Sequence, residues 1–363
     1  RRLGRGHGPL IPRQDELRRL TDNEAARFIR RLVAATWKKS PPTEDQGGPV
    51  LTIVLKKGGN HASTGYRLRF GEKIETFARA PYVLLEMNAN RMSHTLLHEG
   101  GHVVHRICRR GKKEDSPWTP LPHSTFAVND PVTALAEGYA VHLETLWGHF
   151  GAEARRTFYQ RISVDFSTST GLDEEFFSPA KDILSFSQNR ARYQAVRDGL
   201  PAFAGNLFAG EYLRSQYDPS RDLSQLKAPN AQIASEGVVA AVLFWTATDW
   251  AIKEGAVPGA GLDQPGLQAA EERLVEALLA LPDNGREPFR PDIVDLIAAS
   301  GDSDSSARQS LVARFVDLTR GVTAEPTLQA NWSKFYRSAL ALDQETLMPV
   351  FQALDGARRD IRA

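Results

Sequence analysis

Four histidines and a glutamate fall within the stretch HTLLHEGGHVVH, His94 to His105. In an α-helix, residues four apart share a face about one turn apart. His98 and His102 can therefore aim both imidazoles at one ion, with Glu99 offset beside them. This is the H-E-x-x-H arrangement, in which two histidines hold zinc and the glutamate serves as general base. Zinc lowers the pKa of a water it holds toward about 7, and the adjacent carboxylate takes a proton as that water attacks a carbonyl. The competing explanation is surface or core histidines at accidental spacing. With nine histidines in the chain, that accident is expected in only roughly one such chain in a hundred.

Two histidines do not complete a catalytic zinc site, which takes three protein ligands and an open position. An extension with Gly at 105 and His at 108, as in the metzincins, is excluded because the chain has His105 and Cys108 there. Glu137, in ALAEGYAVHLE, is the candidate third ligand. It stands among Ala, Leu, Tyr and Val, where an unpaired carboxylate is expensive. Gly100 and Gly101 each cost a helix about 1 kcal/mol relative to Ala, so something is expected to approach that backbone closely, a substrate or a neighbouring ligand helix. Gly138 is expected to let the Glu137 helix pack against them.

On these residues the chain resembles the gluzincin metallopeptidases. In that clan a strand precedes the H-E-x-x-H helix, and a glutamate on a following helix completes the zinc site. AEGYA is similar to the Glu-Gly step around that ligand in several helical gluzincin families. The resemblance implies zinc as cofactor, His98, His102 and Glu137 as its ligands, and Glu99 as base and proton shuttle. It covers roughly residues 80–147. The 34 residues between His102 and Glu137 exceed the thermolysin or membrane-aminopeptidase spacing, and GKKEDSPWTPLPHSTFAVND reads as an inserted loop. No single family is assigned.

The neighbours have plainer explanations. His94 and His105 share the ligand stripe, yet one ion does not take four imidazoles from successive turns of one helix; roles behind the ligands or toward solvent are expected. Glu144, seven residues after Glu137, either orients a ligand histidine or ends the apolar face. Asp130 reads as a helix cap, and His123 as a solvated loop residue. For the donor that a developing oxyanion needs, the candidates are Tyr212, Arg214, Tyr217, Tyr139 and His142, with Tyr217 the first choice. Glu236 is a structural carboxylate, a substrate-amine binder or a fallback third ligand. Trp245, Trp250 and Trp332 read as core.

These residues must be positioned by a small sheet and several helices. Thr21 followed by Glu24 is a capping-box pattern for a helix to about Lys39. Val50–Lys56, Gly65–Phe70 and Tyr82–Met87 are strand-like stretches between Gly- or Pro-containing breaks. The last leads into the H-E-x-x-H helix and is expected to offer an edge to an extended substrate. Asp130-Pro131 opens the Glu137 helix. Further helices are expected near 152–164, 179–198, 231–252, 266–281, 307–320 and 330–361. The fold class is α+β: a small N-terminal sheet with a zincin-like active-site helix, then a large, mostly helical body. Three segments follow: 1–20 a flexible basic arm, 21–150 a zincin-like catalytic subdomain, and 151–363 a helical subdomain closing the cleft.

The bulk composition bounds the partners. A formal net charge of +1 over 363 residues gives no nucleic-acid footprint, although residues 1–40 carry 11 Lys/Arg against 4 Asp/Glu. The lone Cys108 excludes an intramolecular disulfide. The longest apolar run, GVVAAVLFWTA from Gly237, is too short to span a bilayer, so no integral membrane segment is expected. The chain opens on Arg, which suggests an upstream segment since removed. A soluble protein is expected; a secreted or cell-envelope location fits, and the compartment and oligomeric state stay open. The expected function is a zinc-dependent hydrolase cleaving peptide or protein substrates. The alternatives are a zinc hydrolase of another amide or ester, or a non-catalytic zincin-fold binding protein.

Overall fold

A computed structural model of the chain describes residues 23–40, 51–56, 60–86, 92–109, 131–151, 232–233, 235–281, 291–303 and 305–318. The expected helices near 152–164, 179–198 and 330–361 lie outside these residues, as do the arm 1–20, Thr21, Asp130, His123, Tyr212, Arg214, Tyr217 and Trp332. The described part is mixed α and β, with a small N-terminal sheet and a mostly helical body.

Helix α1 spans Glu24–Lys39. Its apolar residues recur at helical spacing (Ala25, Phe28, Ile29, Leu32, Val33), and this face is buried together with Thr36, whose hydroxyl donates to the Leu32 carbonyl. The cap is Asn23 rather than Thr21: the Asn23 Oδ1 accepts from the Ala26 N–H at 2.7 Å. Glu24 accepts from the Leu262 N–H at 3.0 Å, a donor far along the chain.

Strands β1 (Thr52–Lys56), β2 (His61–Phe70) and β3 (Lys73–Glu86) form a sheet in the order β1-β3-β2. β1 runs parallel to β3, from Thr52 opposite Tyr82 to Lys56 opposite Glu86. β2 is antiparallel to β3, and Phe70 pairs with Lys73 across a two-residue turn. Gly71 in that turn has φ +62°, which a residue with a Cβ rarely adopts. Both β2 and β3 begin earlier than the sequence suggests. Pro81 reads as a break, but it sits inside β3 opposite Thr64, beside the register shift between Thr64 and Tyr66. Cross-strand pairing carries the strand through.

The strand ending near Met87 is expected to present an edge, yet it is the central strand, with Tyr82–Leu84 paired on both sides. The backbone groups of Tyr82–Leu84 are committed to neighbours, so that part of the strand does not take up an extended substrate by strand addition.

The pleat sends Val83 and Leu85 into the main core together with Ala62. Tyr66, Tyr82 and Leu84 form a second cluster on the other face, where Tyr66 stacks on Phe77 with ring centroids 4.8 Å apart. Helix α2 (Met92–Cys108) packs against α1 and the sheet, and the Arg106 guanidinium donates to the Ala62 carbonyl of β2. Helix α3 (Pro131–Phe150) lies on α2, and α4 (Glu236–Lys253) lies on α3. α4 contains the apolar run noted in the sequence and is buried nearly all round, as expected of a helix without a polar face. Among the described residues no helix is long and apolar enough to cross a membrane.

Helices α5 (Pro265–Leu279), α6 (Ile293–Ser303) and α7 (Ser305–Leu318) complete the body. α4, α5 and α7 match expected helices. α6 was not expected, being short and bounded by Pro291 and a Gly- and Asp-rich end. Asp292 makes it possible, its Oδ1 accepting from the N–H groups of Val294 at 2.9 Å and Asp295 at 3.3 Å. One cluster of buried apolar residues runs from α1 through the sheet to α7, drawing from both sides of residue 150. Trp250 belongs to it, and Trp245 packs against it.

Candidate metal centre

Helix α2 places His98 and His102 one turn apart on the face turned toward α3. Their rings meet edge to face with centroids 4.9 Å apart, and the two Nε2 atoms are 3.3 Å apart. Glu137, buried on α3, brings Oε2 to 3.2 Å from His102 Nε2 and 3.5 Å from His98 Nε2. Three electron-pair donors therefore form a nearly equilateral triangle. Zinc bonds of 2.0–2.1 Å in tetrahedral array require ligand separations of about 3.3–3.4 Å. The three observed separations bracket that value, so the donor spacing is compatible with a metal ion of this size. Among the described residues these three are the group of His, Cys, Asp or Glu whose donor atoms lie within 4.8 Å of one another. Glu236, the fallback ligand, is buried at the start of α4 and does not join them.

Behind the triangle, Glu144 Oε2 lies 3.2 Å from His98 Nδ1. Glu144 is two turns along α3 from Glu137 and shares its face, so its carboxylate reaches the other nitrogen of the same His98 ring. A carboxylate accepting from Nδ1–H leaves the Nε2 lone pair free for the ion. Burial alone would lower the His98 pKa, but hydrogen bonds and charge from Glu137 and Glu144 outweigh it and hold His98 well above the usual imidazole range. Glu99 is buried beside the pair. Burial pushes its carboxyl above the usual range, against the opposing pull of His102 and His98.

The glycines hold these helices at their spacing, though not all as expected. A Cβ on Gly100 would lie 2.2 Å from Ile29 Cγ1, so this notch receives α1 rather than a substrate. A Cβ on Gly101 would lie 2.9 Å from the Ala140 Cα; here α2 and α3 touch. Gly138 was expected to face Gly100 and Gly101, but it faces α4, where a Cβ would lie 2.6 Å from Val239 Cγ1. One residue past Glu137 the helix has turned by about 100°.

Two candidate oxyanion donors are ruled out on the same grounds. Tyr139 and His142 point away from the Glu137 face and are fully buried. His142 Nε2 instead meets Glu271 Oε1 of α5 at 2.8 Å. Glu271 is legible in the sequence only as a carboxylate within the apolar pattern of QAAEERLVEALL. The His94 side chain lies outside the described residues, and His105 is buried rather than facing solvent.

Comparison of the chain with protein-family models, with curated proteins and with solved structures finds no match.

Proposed function

We propose that the protein is a zinc-dependent hydrolase of gluzincin type that cleaves peptide bonds. The observation carrying this reading is the triangle of His98 Nε2, His102 Nε2 and Glu137 Oε2, with separations of 3.2 to 3.5 Å, next to a buried Glu99. Held there, zinc supplies Lewis acidity: it lowers the pKa of water toward about 7 and polarises a carbonyl oxygen.

The remaining work falls to the chain. His98, His102 and Glu137 hold the ion, and Glu144 keeps the His98 ring in its tautomer and orientation. Glu99 takes the proton of the attacking water and returns it to the leaving amine. A carboxyl raised by burial suits that role, because a base is most effective when its pKa approaches the working pH. A purely structural zinc site has no use for such a base, which favours catalysis over a binding module. Tyr217 is the proposed donor to the oxyanion. The zincin fold and a peptide or protein substrate belong to this proposal.

Metal content by mass spectrometry of wild type, His98→Ala and Glu137→Ala, with hydrolysis of a peptide library by wild type and Glu99→Gln, tests it. About one zinc per chain, lost in the first two variants, and cleavage abolished in the third are expected. No zinc in wild type after metal is added back would end the reading. Zinc bound without cleavage of peptides, amides or esters would leave a binding protein.

A further inference from the structure

Helix α3 carries Glu137 and Glu144 toward the metal triangle, and a ligand site tolerates errors of only about 0.2 Å. Side-chain tips lie roughly 5–6 Å from a helix axis, so a rotation of about 2° already moves them by that amount. The glycine notches at Gly101 and Gly138 set how far α3 stands from α2 and α4. Apolar contacts around it are non-directional and specify rotation weakly. His142 is about 140° around the helix from Glu137 and about 160° from Glu144, nearly opposite the site. There its Nε2 meets Glu271 Oε1 at 2.8 Å, with both side chains 0% exposed. Neither His142 Nδ1 nor Glu271 Oε2 has a further hydrogen-bond partner among the described residues. The contact is therefore the one directional bond each side chain makes, and it ties the back of α3 to α5.

We propose that the His142–Glu271 hydrogen bond is a positioning device that fixes the rotation of α3 and so aims Glu137 and Glu144 at the metal site. The inference rests on the zinc reading above. Removing one partner alone would orphan a buried polar group, whereas replacing both by apolar residues of similar volume can be nearly neutral for folding. The test is the double variant His142→Leu/Glu271→Val beside Glu271→Gln, which keeps an acceptor for the histidine. Zinc affinity is measured by chelator competition on folded protein, with the visible spectrum of the cobalt(II)-loaded protein as a report on ligand geometry.

The double variant is expected to bind zinc at least tenfold more weakly and to show an altered cobalt spectrum, with Glu271→Gln within about threefold of wild type. Wild-type affinity and spectrum in the double variant, with at most a lower melting temperature, would overturn the positioning role and leave a purely structural contact. If the double variant does not fold, a second apolar pair of different shape, His142→Phe/Glu271→Leu, takes its place under the same two outcomes. Wild type that takes up neither zinc nor cobalt would sink the metal centre itself, a failure distinct from that of the positioning role.

Discussion

His98 stands between two glutamates of one helix, its Nδ1 3.2 Å from Glu144 Oε2 and its Nε2 3.5 Å from Glu137 Oε2. The arrangement assigns each nitrogen a separate task. Glu144→Ala frees the ring to rotate and change tautomer while leaving all three ligands in place. Zinc affinity is expected to fall about 10- to 100-fold, and Glu144→Gln to recover part of it. Competition against a chelator of known affinity decides; equal affinity in Glu144→Ala would remove Glu144 from the site.

Gly101 sets the spacing of α2 and α3. In Gly101→Ala the new methyl meets the Ala140 backbone at 2.9 Å, which has no flexible end to move aside. The helices must part by a few tenths of an ångström, and overpacking of this kind costs about 1–3 kcal/mol. Because the parting lies beside His102, zinc affinity should fall along with stability. Urea melts of the metal-free protein and zinc titrations, taken together, check both.

The notch at Gly100 behaves differently because its neighbour is a side chain. Gly100→Ala collides with Ile29 Cγ1 and Cδ1 and is expected to destabilise by about 1–3 kcal/mol. Adding Ile29→Ala removes the colliding atoms, so the pair should cost clearly less than the sum of the two single changes. Strict additivity in a double-mutant cycle would place α1 elsewhere.

Cys108 is buried, and burial pushes its thiol far above the usual range. Thiolate is the reactive form, so the native protein should resist alkylation at pH 8, and modification should appear only as denaturant unfolds the chain. Rapid labelling of native protein, read by mass spectrometry, would contradict this packing.

Asp263 accepts from Arg27 Nε at 2.8 Å and Arg31 Nη2 at 2.5 Å. Burial alone would raise its pKa, but these hydrogen bonds and charges outweigh it and hold the group below its ordinary 3.8. A depressed folded pKa contributes stability that is present above the unfolded value and lost as pH falls through the folded one. Asp263→Asn should therefore be the less stable protein at pH 7, with the gap closing below pH 3.8. The side chain is 37% exposed, so solvent screening limits the gap to about 1 kcal/mol or less. Thermal melts across that pH range measure it.

What the sequence determined by itself is whatever lies within one helix or one strand. The shared face of His98 and His102 follows from the helical repeat, and so does that of Glu137 and Glu144. The burial of α4 follows from its lack of a polar face, and the helix over Glu24–Lys39 from its apolar stripe. Backbone geometry fixes these relationships before any tertiary contact forms. Tertiary structure decided everything that needs two segments to choose each other. It set β3 in the middle of the sheet, and it brought the Leu262 N–H to Glu24. It gave Gly100, Gly101 and Gly138 three different partners, Ile29, Ala140 and Val239. It brought Glu144 to His98 across 46 residues of chain and Glu271 to His142 across 129. Apolar burial has no direction, so the pattern of a single segment says that a face is covered and not by what. The choice is made only when all the faces must fill one core together.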